Sequence, residues 1–246
     1  MLLRAEGISM NFGGFTAVAG ASLEIEPGEI VGIIGPNGAG KSTFFGCLVG
    51  DLKATAGQVR FLDHEVTHRS PEHHARLGMA RTFQVPQTFE DLTVLENVMV
   101  GALLRHPRAA EARRFAQSLL EFAGLAGAAA NKAGSLGTPG RKRLEIARAL
   151  ATEPKLLLLD EALAGLTPTE IHTAIELVRA IHARGIALVI IEHIMEVIVT
   201  LAQRVIVFNQ GKIIASGLPG NVMRDEQVVA AYLGSHGRRA RVPFDA

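Results

Sequence analysis

The sequence is short of three things, and each shortage narrows the field. It has one cysteine, Cys47, in 246 residues. A single thiol cannot close an internal disulfide, which suits a reducing compartment. Cys47 reads as a small buried hydrophobe rather than a reactive group. No apolar run approaches the ~20 residues of a membrane-crossing helix; the runs at 155–159 and 186–191 have the length of strands. The start, Met-Leu-Leu-Arg-Ala-Glu, lacks the basic lead and apolar stretch of a secretory signal. A cytosolic chain that could still dock onto a membrane partner is expected. The net charge is only +1, so nothing biases the chain toward nucleic acid or another polyanion. No internal repeat is visible.

What is present suits a well-packed globular protein: 48% hydrophobic and 20% charged residues, with length enough for one large domain or two small ones. Most information lies in residues 30–46. The apolar run Ile30 to Ile34 reads as a buried strand, and a helix restarts near Lys41. Between them stands G-x-x-x-x-G-K-S, formed by Gly35, Pro36, Asn37, Gly38, Ala39, Gly40, Lys41 and Ser42, with Thr43 next. Glycines let backbone N–H groups converge on phosphate oxygens without Cβ clashes. The helix that follows points its positive end at the same anion. Lys41 would reach the β- and γ-phosphates, and the Ser42 hydroxyl would take Mg²⁺. Average residue frequencies give such a pattern by chance in about 1% of chains this long. A nucleoside triphosphate site is expected.

Strands are expected at 2–9 and 22–26, joined through Asn11-Phe12-Gly13-Gly14, and at 57–62 and 79–84, the last ending at Gln84. Ser70-Pro71-Glu72 predicts a helix start, with Gly78 as its stop. From about 86 to 152 the pattern is helical: a capping box at Thr93-Val-Leu-Glu96, a stretch over 109–123, and a third helix from near Pro139. The α/β pattern resumes with a strand to Leu159 and a helix behind the Thr167–Glu170 capping box, closed by Gly185. A strand follows at 186–191, then a hairpin over 204–208 and 212–216. The tail at 235–246 is polar and basic and is expected to be flexible. His64, His68, His73 and His74 read as solvated surface rather than metal ligands. Arg141-Lys142-Arg143 reads as an exposed run or one that meets an anionic partner surface.

Parallel sheets bind ligands at the carboxyl ends of their strands. Asp160 follows Leu156 to Leu159, in the pattern of an acid that holds Mg²⁺ through water. Glu161 could accept a proton from an attacking water. A helix N-terminus that simply favours acids would also explain this pair. A lone histidine is more often structural than catalytic. The place of His193 at the next strand end makes it a candidate for the γ-phosphate.

Taken in order, the phosphate loop, Gln84, the helical segment, Asp160-Glu161 and His193 resemble the ATP-binding cassette (ABC) ATPases. Within them the chain is similar to the LivG-type subunits of branched-chain amino acid importers. Asn11-Phe-Gly-Gly14, Arg81-Thr-Phe-Gln84, Leu92-Thr-Val-Leu-Glu-Asn97, Arg143-Leu-Glu-Ile-Ala-Arg148, Ile191-Glu-His-Ile-Met195 and Ala231-Tyr-Leu-Gly234 carry the likeness over residues 2–234. The resemblance implies an α/β P-loop NTPase fold with a RecA-like core, an N-terminal antiparallel β subdomain and an inserted helical subdomain. It implies ATP and Mg²⁺, with Ser42, Gln84 and Asp160 at the metal. It implies that Phe12 stacks on adenine, Gln84 senses the metal and the γ-phosphate, Glu161 is the general base and His193 a switch. Residues 85–104 would face a transmembrane permease subunit. The chain would sit peripherally on the cytoplasmic face of the membrane and pair with a second cassette. A solute-binding protein would act indirectly, through the permease. A weakly hydrolysing regulatory subunit, or another cargo such as amides, urea or exported lipid, stays open.

One stretch departs from the family. Its signature, normally Leu-Ser-Gly-Gly-Gln, offers a serine hydroxyl and N–H groups to the partner's ATP. Here it is Leu136-Gly137-Thr138-Pro139-Gly140. Gly137 lacks the hydroxyl and Pro139 lacks the N–H. Ala162 stands where proline is usual and Thr167 where Asp or Asn is usual. A heterodimer with one stronger and one weaker ATP site is the expectation.

Overall fold

The computed structural model describes residues 1–233; the basic tail expected at 235–246 lies outside the described residues. β1 (Leu3–Phe12) and β2 (Phe15–Ile25) form a hairpin that turns at Gly13-Gly14. β3 (Ile30–Ile34) runs into the glycine loop, and α1 (Lys41–Val49) follows it. β4 (Ala56–Phe61) and β5 (His64–Glu65) return to the hairpin, giving an antiparallel sheet of order β2-β1-β4-β5. Next come α2 (Pro71–Leu77) and β6 (Met79–Arg81). Three helices are inserted before the sheet resumes: α3 (Val94–Ala102), α4 (Ala109–Phe122) and α5 (Thr138–Leu150). β7 (Leu156–Asp160), α6 (Pro168–His182), β8 (Ala187–Ile191), α7 (Met195–Leu201), β9 (Arg204–Asn209) and β10 (Lys212–Gly217) follow. α8 (Pro219–Val222) and α9 (Glu226–Leu233) complete the described chain.

The second sheet has the order β10-β9-β3-β8-β7-β6. Its pairings are parallel except for β10, which turns back on β9. All five residues of β3, β7 and β8 are buried. Parallel strands covered on both faces need continuous apolar sequence, which is why these runs do not alternate with polar residues. Alternate residues nevertheless enter two different cores. Val31, Ile33, Leu156, Leu158, Val189 and Ile191 face α1 and the antiparallel sheet. Ile30, Ile34, Leu157, Leu159, Leu188 and Ile190 face the helical side. Phe44 of α1 packs on Phe208 of β9, with ring centroids 5.1 Å apart, and so seats the helix behind the phosphate loop.

Local signals hold at the helix ends. Ser70 accepts from the His73 N–H, and Gly78 closes α2 with φ 104°. Thr93–Glu96 and Thr167–Glu170 are both complete capping boxes. Gly50 ends α1 in the left-handed region at φ 81°. Cys47 is 1% exposed, and burial pushes its thiol up to about 11.

Several expectations need correction. The first hairpin is longer than its apolar segments suggest, because β1 and β2 stay paired as far as Phe12–Phe15, through register shifts after Ala5, Ile8 and Met10. β6 stops at Arg81, so Gln84 lies in the loop beyond it. α6 ends at His182, and Gly185 lies beyond its cap. β5, α7, α8 and α9 were not expected. His74 is not solvated: it is 1% exposed, and its Nδ1 lies 2.9 Å from the Ser70 carbonyl oxygen. The Arg141–Arg143 run is not a free basic surface, since Lys142 is buried and Arg141 bonds the Leu136 and Gly134 carbonyls.

The two-sided burial of β7 sets a stability expectation. Leu158→Ala should cost about 2–5 kcal/mol, the range for a leucine deleted from a rigid core. Urea denaturation of the two proteins checks it.

Candidate active site

The phosphate loop is squeezed between two backbones, and only glycine fits at two of its positions. A Cβ on Gly35 (φ +148°) would lie 2.1 Å from the Phe208 carbonyl oxygen of β9. A Cβ on Gly40 (φ +101°) would lie 2.3 Å from the Ala17 carbonyl oxygen of β2. Both residues also use backbone conformations that L side chains rarely adopt. Lys41 turns back into this loop. Its Nζ donates to the carbonyl oxygens of Gly35 at 2.7 Å and Pro36 at 3.0 Å. Lys41 is 5% exposed, and burial lowers its ammonium's pKa against the raising fields of Glu161 and Asp160.

Sheet register brings the other groups to the loop. Ile33 of β3 pairs with Ile191 of β8, and Asp160 of β7 pairs with that same Ile191. The chain therefore leaves β3, β7 and β8 at one level, through Gly35, Glu161 and Glu192-His193. Glu161 holds a left-handed backbone, φ 49°, which for a side-chain-bearing residue costs roughly 1–3 kcal/mol. Its carboxylate is fully engaged. Gln84 Nε2 donates to one oxygen at 2.7 Å, and His193 Nε2 donates to the other at 2.7 Å. This arrangement gives a polarised carboxylate whose orientation is set from two strand ends and one loop.

Asp160 lies just beneath, 2% exposed. One of its oxygens takes Arg81 at 3.0 Å, and its N–H donates to the Thr82 hydroxyl at 3.2 Å. The other oxygen, Oδ1, is buried with no partner among the described residues. Burial raises the carboxyl's pKa, with Arg81 opposing and Glu161 adding to the rise.

A cavity of about 740 Å³ unites Phe12, loop residues 37–43, Gln84, Glu161 and His193. Of the sequence-predicted residues of this chain's own site, Phe12, Asn37 to Thr43, Gln84, Glu161 and His193 meet in one cleft; Gly35, Pro36 and Asp160 do not line it. Phe12 is 47% exposed at its rim, not a core aromatic. Gly137–Gly140 do not line this cleft. Gly137 is the N-cap of α5 (φ −68°), with no side chain to cap it, and Pro139 occupies the first turn. A Cβ there would meet only Pro139 Cδ at 3.9 Å.

Four residues of the neighbourhood escaped the sequence. Phe15 lines the cleft beside Phe12 because the hairpin is long. Arg81 holds Asp160. Lys142 and Glu192 support the Glu161 loop from behind: Lys142 Nζ donates to the Glu161 carbonyl at 2.9 Å, and Glu192 Oε1 accepts from the Leu163 N–H at 2.7 Å. Position next to His193 is the one available signal for Glu192, and Arg81 lies three residues before Gln84. Lys142 gave none, since it sits inside a basic run.

A phosphate-binding loop facing a carboxylate at the end of a parallel strand defines a nucleoside-triphosphate-hydrolysing P-loop protein. The comparisons narrow the class. The family described as "ABC transporter" matches residues 18–164, and the family described as "Branched-chain amino acid ATP-binding cassette transporter" matches 212–238. The high-affinity branched-chain amino acid transport ATP-binding protein LivG of Escherichia coli K12 is 39% identical, over 95% of this chain and 98% of that protein. A probable LivG of Methanocaldococcus jannaschii is 36% identical, over 95% and 97%. A nucleotide-free ATP-binding cassette from an ABC transporter superposes with a TM-score of 0.86 at 35% identity, covering 95% of this chain and 99% of that one. A cassette in its ADP conformation gives 0.84 at 35%, covering 95% and 98%. The chain belongs to the ABC transporter family, among the ATP-binding subunits of the branched-chain amino acid type. Its fold is the ABC ATPase form of the P-loop NTPases, with the antiparallel sheet and inserted helices described above.

Glu192 leaves a signature whose sign is fixed. It is 1% exposed, and burial raises its carboxyl from 4.5 to about 7. A folded pKa above the unfolded one gives stability that is complete below about 4.5 and is lost as pH rises through about 7. Glu192→Gln cannot ionise. Its melting temperature relative to wild type is expected to rise between pH 5 and pH 8. A gap that stays constant across those pH values would contradict the assignment.

Proposed function

We propose that this chain hydrolyses ATP to drive an importer of branched-chain amino acids. The observation that carries the reading is the Glu161 carboxylate, held at 2.7 Å by both Gln84 and His193 at the mouth of the phosphate-loop cleft. Glu161 accepts the proton of the water that attacks the γ-phosphate. His193 and Gln84 fix the orientation of Glu161 and contact the γ-phosphate side. Lys41 exchanges its two loop carbonyls for phosphate oxygens, the loop N–H groups cradle the phosphates, and Phe12 stacks on adenine. The donor set fits Mg²⁺: hydroxyl, amide and carboxylate oxygens from Ser42, Gln84 and Asp160, including the unpartnered buried Oδ1 of Asp160. When bound, the ion neutralises charge on the phosphate oxygens. Most of the rate gain in such transfers comes from positioning and charge stabilisation.

The cassette comprises residues 2–234, with its helical part at about 86–152, peripheral on the cytoplasmic face of the membrane. Among the described residues no helix is long and apolar enough to cross a membrane. Residues 85–104 face the permease subunit; Phe89, Val100 and Leu104 of that segment line a groove of about 670 Å³. The solute-binding protein acts through the permease. The match at 212–238 and the LivG relatives favour branched-chain amino acids as cargo over amides, urea or lipid.

The partner is a second, different cassette. Gly137 brings no hydroxyl to the α5 N-terminus and Pro139 no N–H, so what this chain lends to its partner's ATP is weak. Its own site, completed by the partner's signature, is the strong one.

Two measurements test these readings. The purified chain is expected to bind ATP with negligible turnover until the partner cassette is added; Glu161→Gln should then lower the rate by about 100-fold or more. A rate that rises more than linearly with concentration for the chain alone, and vanishes in Glu161→Gln, would mean homodimers suffice and would overturn the asymmetry. Gly137→Ser combined with Pro139→Gly should raise the ATPase rate of the complex. An unchanged rate would sink the weak-site reading.

A further inference from the structure

Glu161 is the residue on which hydrolysis turns, and its backbone sits where side-chain-bearing residues rarely sit (φ 49°). Something must hold it there. Its N–H donates to the Ile191 carbonyl at 2.9 Å, which fixes the entry to the turn. Its carbonyl oxygen accepts from the Ala164 N–H at 3.2 Å and from Lys142 Nζ at 2.9 Å. Two residues on, the Leu163 N–H donates to Glu192 Oε1 at 2.7 Å. Peptides 161–163 are therefore gripped by two ionisable side chains from different elements.

Neither side chain lines the nucleotide cleft. Both are buried, Lys142 to 7% exposure and Glu192 to 1%, and Glu192 Oε2 has no partner among the described residues. Burying two ionisable groups is costly unless each answers a need. The fields of Glu192, Glu145 and Glu161 favour the Lys142 ammonium, and that ammonium in turn favours a charged Glu192. A pair of apolar residues would fill the same space without that cost but would leave the Glu161 carbonyl and the Leu163 N–H without these partners.

Resting on the role proposed for Glu161, we infer that Lys142 and Glu192 are positioning residues that clamp residues 161–163, and that Lys142 ties the hydrolytic carboxylate to α5. The first turn of α5 is Thr138-Pro139-Gly140, preceded by its N-cap Gly137. Lys142 follows on the same helix. Lys142 and the first turn belong to one continuous helix, so the position of that turn bears on the ammonium that holds the Glu161 carbonyl.

The test uses the assembled transporter for turnover and the purified chain for ATP binding. Lys142→Met keeps length and apolar bulk but removes the donor. It is expected to lower kcat about 10- to 100-fold, the scale of a misplaced catalytic group, with the KM for ATP, the Kd for ATP and the melting temperature close to wild type. Lys142→Arg, which retains a donor, should recover most of kcat. Glu192→Gln, whose amide oxygen can still accept from Leu163, should keep more of kcat than Glu192→Ala. Wild-type kcat in Lys142→Met overturns the inference. So does a parallel loss of kcat, ATP binding and melting temperature, which marks a merely structural network. Should Lys142→Met fail to fold, the two Glu192 variants decide: equal kcat in both overturns the clamp. No ATP binding by the wild-type chain would instead overturn the reading of the site itself.

Discussion

The structure depends on the register of three parallel strands. Ile191 is paired on one side with Ile33 and on the other with Asp160, so β3, β7 and β8 end together. That level is locked from both faces. Alternate side chains of each strand belong to separate cores, and a slip of one residue would exchange them. It is locked again at the end of β3, where Gly35 passes so close to the Phe208 carbonyl that no side chain could intervene. The chemistry inherits its geometry from this packing. A glycine loop, a carboxylate and a histidine far apart in sequence leave the sheet side by side.

Burial then sets the electrostatic character of the region. Lys41, Asp160, Lys142 and Glu192 are all almost wholly withdrawn from water, and desolvation is the largest influence on each of them. Opposite charges nearby offset part of that cost: Arg81 for Asp160, the carboxylates for both lysines. Lys41 spends its hydrogen bonds on its own loop and Asp160 keeps one oxygen unpaired. The strain at Glu161 belongs to the same economy, since a left-handed carboxylate is tolerated only where surrounding bonds hold it.

Much of this was legible in the sequence because the signals were local. Gly35 to Ser42 fixes a strand, a turn and a helix within a dozen residues. Asp160 and Glu161 follow an apolar run too short for anything but a strand. Capping boxes at Thr93 and Thr167 marked two helix starts. Signals that needed a third dimension were lost. Lys142 looked like one more exposed cation because its two neighbours are arginines, and only the packing of α5 against the Glu161 turn reveals it as buried. His74 was grouped with three polar histidines, yet α2 turns it inward. Arg81 and Glu192 act across strands, and no spacing along the chain reports such a contact. Phe15 lies in a stretch whose Gly-rich flank reads as a loop, whereas the hairpin pairs it with Phe12.

The solitary thiol has a practical sequel. Cys47 is shut between α1 and the core, and its ionisation is pushed to about 11, so at neutral pH it carries almost no reactive thiolate. Both features predict slow reaction with maleimides and iodoacetamides. Reporter groups can be attached at newly introduced surface cysteines without first deleting the native one, and distances across the cassette can be followed in an otherwise unaltered chain.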